Sequence, residues 1–395
     1  MIPWLQHAPV AFAAGMATTG IVQTLLGLAG VRRFVTARAP QAGSLPPVTI
    51  LKPLHGAEPL LAEALETFFR QEYPVLQLVF GVQRGDDPAA SVARALMVKY
   101  PHVDAALVVD GTTHGANGKI GNLINMYPTA RHDVLIVSDS DMHVAPDYVR
   151  DVVASLEAPG VGLVTSIYIG KPAHGGLPAR LGAAYINQIF ASGAVMSRAL
   201  GRQDCLGATM ALRRATLQRA GGFSALVSYV ADDGVLGRNV LALGQGIAMT
   251  RAVPATTVSD ATMAALFSHE LRWARTIRAM APTPFVMSAV QFPVFWALLT
   301  VLLAPLHVWP YLLLALTFGA RATSGRQGER LLGAARMPLW MVPLRDVLSM
   351  VVMGAALAGR EVAWRGEILS TAPDQALVQG EQARAAPRGL AHEKG

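Results

Sequence analysis

Residues 8–31, APVAFAAGMATTGIVQTLLGLAGV, contain no charged side chain, and a second apolar block, PFVMSAVQFPVFWALLTVLLAPLHVWPYLLLALTFGA, opens at Pro284. About 20 apolar residues in a helix match the hydrocarbon core of a bilayer, so a chain with both blocks must divide itself between membrane and solvent. Composition agrees: 52% of the 395 residues are hydrophobic and 15% are charged, which is too apolar for an ordinary soluble enzyme. A signal peptide carries its positive residues ahead of a shorter run, whereas Arg32, Arg33 and Arg38 follow this one. Residues 1–33 therefore read as a retained anchor, and the positive-inside tendency puts the next domain in the cytoplasm.

The second block is long enough for two spans with a turn around His307 to Pro310, after which Arg321, Arg326, Arg330 and Arg336 form a basic loop. A third stretch, PLWMVPLRDVLSMVVMGAALAG, holds Arg345 and Asp346 inside it, which leaves open a span with an internal ion pair, a re-entrant hairpin or an interfacial helix. The expected division is an anchor over 1–33, a catalytic domain over 45–280, a membrane region of two to three helices over 281–366 and a disordered tail over 367–395. The net charge of +7 suits anionic lipid or a phosphorylated substrate. Without a basic run interleaved with aromatics, nucleic acid is not expected as a partner. Cys205 is the one cysteine, so no internal disulfide forms; it reads as a packing residue.

Between the membrane blocks, short apolar runs alternate with helical patterns, the signature of a sheet covered by helices. VTILKPL, LQLVFGVQ, DAALVVD and DVLIVSD read as strands, with EPLLAEALETFFRQEY and ASVARALMVKY as helices between the first three. Ligands of such sheets bind at the carboxyl ends of the strands, and that is where Asp87 and the pair Asp139 and Asp141 fall. In extended backbone, residues 139 and 141 point to one side, where two carboxylates suit a Mg²⁺ or Mn²⁺ ion bridging to phosphate. Asp-Ser-Asp is also a good turn former. Further on, Asp232 and Asp233 precede a helical segment, and SHELRWARTIRAM places Arg272, Arg275 and Arg278 on one stripe beside an apolar face. Trp273 adjoins Arg272 just before the membrane block.

Taken in order, Asp87, Asp139-Ser140-Asp141, Asp233 and His269-Glu270-Leu271-Arg272-Trp273 resemble glycosyltransferase family 21, which holds the ceramide glucosyltransferases and the bacterial hopanoid-associated glycosyltransferases. ILKPLHG, FGVQ, KYPHVDAALVVDGTTHGANGKIGNL, RRATLQRAGGF and AWRG support the resemblance, which runs over roughly residues 46 to 366. It implies an α/β fold of the A type of glycosyltransferase, with a mixed, mostly parallel sheet, one N-terminal and two to three C-terminal membrane helices, and inverting chemistry. It further implies that Lys52, Pro53, Leu54, His55, Gly56 and Asp87 hold the uridine, that Lys119 helps hold the diphosphate, that Asp139 and Asp141 bind the metal and phosphates, that Asp233 is the general base, and that Arg272 and Trp273 close the donor site. His269 stands where the family usually has Gln or Arg. Asp86 and Asp232 adjoin the assigned acids, and each assignment to the second residue rests on the resemblance.

HELRWARTIR and HGANGKIGNLINM are closer to the hopanoid-associated branch. The resemblance thus favours a multi-pass enzyme of the bacterial inner membrane, with its catalytic domain on the cytoplasmic face, that moves N-acetylglucosamine from its UDP donor to a polyhydroxylated hopanoid. A ceramide acceptor with UDP-glucose is the alternative. A processive polysaccharide synthase shares the acid set but needs more spans for a polymer channel. A non-enzymatic scaffold or transporter leaves acids at strand ends unexplained.

Overall fold

The computed structural model describes residues 7–359 except 39, 41 and 42, and the backbone of 361–364 and 367–370. Its centre is a seven-stranded sheet in the order β3-β2-β1-β4-β8-β6-β9. β1 (Val48–Pro53), β2 (Leu76–Val82), β3 (Asp104–Val109) and β4 (Val134–Ser138) run parallel and occupy the four runs read as strands in the sequence. β8 (Thr209–Arg213) is antiparallel to both β4 and β6 (Val161–Thr165), and β9 (Gly246–Met249) continues parallel to β6.

Alternation along these strands explains the layers. Val48, Ile50, Leu78, Phe80, Val134 and Ile136 face α2 (Leu61–Phe69), α3 (Pro88–Lys99) and α5 (Tyr148–Leu156). Leu51, Val79, Leu135 and Val137 face α4 (Gly118–Met126), α8 (Arg214–Arg219) and α9 (Asp232–Ala242) on the other side. Buried on both faces, the central strands read as continuous apolar runs. A small second sheet, β5 (Met142–His143), β10 (Ala255–Val258) and β7 (Ile169–Pro172), sits beyond the end of β4. After β7, α6 (Leu177–Tyr185) passes through a π-turn into α7 (Ala191–Ala199). α10 (Met263–Met280) then carries the Arg-Trp motif, started by the Thr262 hydroxyl capping Ala265 N–H at 3.1 Å.

The membrane region departs from the expected spans. Among the described residues, only α1 (Ala8–Thr36) is by itself long and apolar enough to cross a bilayer; Pro282–Gln291 and Pro293–Leu303 qualify only together and are bent by 67°. α11 (Pro282–Met287) precedes that bend. α12 (Pro293–Leu303) has 11 residues, about 16 Å at 1.5 Å per residue, against a core of about 30 Å. α13 (Trp309–Leu332) is apolar in its first half and carries Arg321, Arg326, Glu329 and Arg330 in its second. α14 (Met341–Leu357) lies beside α10, joined to it through Arg345 and Glu270 at one end and Leu357 and Arg278 at the other. The break at 304–308 falls beside the turn expected around His307 to Pro310, but hydropathy does not show the break at Phe292 that leaves α12 short. The turn between α12 and α13 is apolar and exposed, Leu306 to 95%.

Residues 361–364 and 367–370 pair as an antiparallel hairpin, β11 (Glu361–Trp364) and β12 (Glu367–Ser370). The sequence reading had begun its disordered tail at 367; the remainder of that tail, 371–395, lies outside the described residues.

Candidate active site

The strands of the parallel half end on one edge of the sheet, and the acids gather there around two lysines. β4 stops at Ser138, and 139–141 form a turn rather than extended chain, with Met142 N–H reaching Asp139 O at 3.4 Å. The two carboxylates therefore do not share one side through strand alternation, as expected from the sequence. The turn directs Asp139 to Lys119 Nζ at 2.6 Å, while Asp141 accepts from Thr256 of β10 at 2.5 Å. Ser140 donates to Glu58 at 2.6 Å.

Lys119, in the first turn of α4, also lies 3.7 Å from Asp232 Oδ2. One ammonium thus links the Asp-Ser-Asp turn to the first turn of α9, motifs far apart in sequence. Burial alone lowers the Lys119 pKa, but the carboxylates of Asp139 and Asp232 outweigh it and hold the ammonium charged. Asn117, which the sequence reading passed over, fixes this geometry. Its side-chain oxygen caps α4 at Lys119 N–H and Ile120 N–H, both 3.1 Å, and its amide donates to Tyr229 O at 2.7 Å. An Asn directly before a helical pattern is an N-cap signal, so this residue was findable.

The two adjacent acids of α9 divide their surroundings. Asp232 is 6% exposed and turned to Asn117 and Lys119. Asp233 is half-buried, accepts its neighbour Gly234 N–H at 2.7 Å and faces Gly207, where an added Cβ would come within 3.0 Å of Oδ2. Burial, then the charge of Asp232, pushes the Asp233 carboxyl up to about 6. Met280 closes the same corner: a Cβ on Gly234 would meet its sulfur at 2.6 Å, so the end of α10 packs on the first turn of α9.

Asp87, rather than Asp86, faces inward. Asp86 is 71% exposed and paired with Arg84, whereas Asp87 is 10% exposed, caps α3 at Ala89 N–H (2.9 Å) and accepts Gly56 N–H at 2.9 and 3.1 Å. Gly56 has φ +73°, a conformation glycine adopts without strain. Of the 52–56 stretch, His55 is exposed and Pro53 and Gly56 half-buried, but Leu54 packs in the core. Lys52 is fully buried: its ammonium lies 3.7 Å from the Phe68 ring centre and bonds Asp139 O and Ser138 Oγ. β1 alternation turns residues 52 and 54 to the α2 side, so these two side chains brace the acid turn and the core instead of reaching a uridine. Burial lowers the Lys52 pKa to about 7 against the opposing pull of Asp141 and Asp139.

On α10, Trp273 packs among Ala179, Ala183, Ile186 and Val258, and His269 meets it edge-on with ring centres 4.3 Å apart. His269 Nδ1 lies 3.3 Å from Asp260. Arg278 donates to Leu357 O (3.0 Å) and Gly359 O (2.6 Å), and Arg275 lies against Gly359. These two arginines clamp the end of α14, which runs along that face.

Asp139 and Asp141 carry the oxygen donors that a hard divalent ion takes, but here Asp139 is held by Lys119 and Asp141 by Thr256. Mg²⁺ is commonly held by one or two carboxylates with substrate phosphates completing its shell. Burial, then the neighbouring charge of Asp139, pushes the Asp141 carboxyl up to about 6. Among the described residues no group of three or more His, Cys, Asp or Glu forms a closed metal site, so phosphate oxygens would be needed to complete one.

A mixed α/β sheet with carboxylates gathered on a lysine at its strand ends, next to a basic helix leading into apolar segments, has the build of a glycosyltransferase. The family model Glycosyl transferase family 21 matches residues 12–377, and the chain belongs to that family. Ceramide glucosyltransferase 3 of Caenorhabditis elegans is 28% identical over 346 residues, 83% of this chain and 73% of the relative. Ceramide glucosyltransferase 1 of the same species is 25% identical over 249 residues, 63% of this chain but only 53% of the relative. Among solved structures, a mannosyltransferase from Pyrobaculum calidifontis in complex with GDP-Man and Mn²⁺ aligns over 88% of this chain and 99% of its own, at 18% identity and a TM-score of 0.49.

Proposed function

We propose that the chain is an inverting glycosyltransferase of the A type that moves glucose from UDP-glucose to the primary hydroxyl of a ceramide-type membrane lipid. The observation that carries this reading is the first turn of α9: Asp233 lies in the field of Lys119, the cation linked to the acid turn, and Met280, at the end of the helix that leads into the apolar region, packs on the next residue, Gly234. A soluble acceptor needs no such neighbour, whereas a lipid hydroxyl arriving from the interface does.

An alcohol is a poor nucleophile near neutral pH, so Asp233 takes its proton as the bond to the anomeric carbon forms. Asp232, turned to Lys119, is the less suitable base. Lys119 and Arg272 stabilise the charge that develops on the departing UDP, and Asp87 with the Gly56 loop borders the nucleoside side. A magnesium or manganese ion on Asp139 and Asp141 would add Lewis-acid stabilisation of the diphosphate. Exhaustive chelation is therefore expected to slow turnover about a hundredfold or more, and an undiminished rate removes the metal from the proposal.

The acceptor preference differs from the one that HELRWARTIR suggested. Both relatives described above are ceramide glucosyltransferases by name, which supports ceramide over a hopanoid. The deciding assay offers the full-length protein in vesicles UDP-glucose with ceramide, and UDP-N-acetylglucosamine with a polyhydroxylated hopanoid. UDP release with a β-linked glucosylceramide is expected. Product only from the hopanoid pair reverses the acceptor, a polymer points to a processive synthase, and no UDP release from either donor defeats the reading.

A further inference from the structure

Glu270 lies two residues before Arg272 in the motif, yet it is 5% exposed and faces away from solvent. Its carboxylate meets Arg345 of α14, itself 0% exposed, in a two-pronged pair: Nη1 to Oε1 and Nη2 to Oε2, each 2.7 Å. The same guanidinium donates to Leu181 O of α6 and to Ser349 Oγ, both at 3.2 Å, and lies 5.4 Å from the Tyr185 ring centre. α6 is also the surface on which Trp273 rests, through Ala179 and Ala183. One buried cation thus fixes α10 against the helix that seats its tryptophan. The next residue, Asp346, faces elsewhere and holds Arg321 of α13 at 3.0 Å and Val294 N–H of α12 at 3.1 Å.

A buried ion pair is a poor source of stability, because well-packed apolar residues often replace it at no loss. What the Arg fork supplies is direction, since two parallel bonds set an angle as well as a distance. We propose that Glu270 and Arg345 are positioning residues of the donor site, holding α10 in the register that presents Arg272 and Trp273 to the sugar nucleotide. This rests on the donor role given to Arg272 and Trp273 above.

The test compares full-length wild type in vesicles with the double variant Glu270→Met/Arg345→Met and with Arg345→Lys. Readouts are thermal unfolding, amide exchange over residues 271–278, and the KM for UDP-glucose and for ceramide. The double variant leaves no buried charge unpaired, so it is expected to melt no lower than wild type. Its exchange over 271–278 should nevertheless rise, with donor KM up about tenfold as the motif loosens and ceramide KM little changed. Wild-type exchange and donor KM in a folded double variant overturn the proposal. If the double variant fails to fold, Arg345→Lys decides, because it keeps the charge and loses the fork: a raised donor KM supports positioning, an unchanged one overturns it. Should wild type not use UDP-glucose, the donor reading fails separately, and exchange over 271–278 still decides the positioning role.

Discussion

The protein buries charge in two places and treats it differently. At the base of the membrane region each charge has one partner: Arg345 with Glu270, Arg321 with Asp346. At the sheet edge Glu58, Asp139, Asp141, Asp232 and Asp233 surround Lys52 and Lys119, and acids outnumber cations. Balanced pairs set geometry and ask for nothing more. Burial first, and then the neighbouring carboxylates Asp139 and Asp232, raise Asp141 and Asp233 to about 6, and a bound cation would offset that excess of acids. Perturbed acids in this setting mark a working site, while the paired charges that join α10, α12, α13 and α14 mark a joint.

Removing one acid from each place is the sharpest way to break that comparison. Asp233→Asn keeps the shape and removes the base, so the rate should fall roughly 10²- to 10⁴-fold with UDP binding largely intact. If Asp232→Asn is the inactive variant and Asp233→Asn turns over normally, the two roles are exchanged. In the balanced region the loss should instead be one of stability. Arg321→Met strands Asp346 in the interior and is expected to cost about 3–5 kcal/mol, the usual penalty for breaking a buried pair. Adding Asp346→Leu should recover most of it. Thermal unfolding reads both, and a double variant no more stable than the single one would show that the pair is not balanced as described.

The pH profile separates the regions by a smaller margin. Asp233 acts as a base only when ionised, and its carboxyl is raised to about 6. Activity should therefore be full above that value and fall about tenfold per unit as pH drops well below it. A rate flat down to pH 5, with folding intact, would detach the acid limb from Asp233.

Much of the parallel half was legible because strands buried on both faces show as unbroken apolar runs. Asp87 was legible too, since Pro88 marks the first turn of a helix that an Asp can cap. The reversal at β8 was not, because TMALR reads like any strand and its direction is set by its neighbours. Asp-Ser-Asp could be read as extended chain or as a turn; the chain turns, and Asp139 meets Lys119, a residue distant in sequence. Lys52, given to the uridine by the resemblance, has the parity of a core residue on β1, and parity won. Nothing in the sequence singled out the role of Glu270, because its partner lies on α14. The break at Phe292, which leaves α12 short, was hidden in a hydropathy signal that adds across breaks.

The smallest expected effect tests how closely the unbalanced site is built. Gly207 stands where a Cβ would approach Asp233 Oδ2 to 3.0 Å and Cγ to 3.4 Å. Its backbone is not in a left-handed conformation, so Gly207→Ala adds no backbone strain and should fold as well as wild type. The new methyl must push the carboxylate by a few tenths of an ångström, since the near atom is the end of a side chain. A displacement of about 1 Å at a reacting group can lower a rate about a hundredfold, so a few tenths should lower kcat roughly three- to tenfold while leaving the KM for UDP-glucose unchanged. No comparable sensitivity is expected at Gly354 of α14, where a Cβ meets nothing within 4 Å. If Gly207→Ala and Gly354→Ala both run at the wild-type rate, the Asp233 carboxylate is not held where its position matters, and another group must take the acceptor proton.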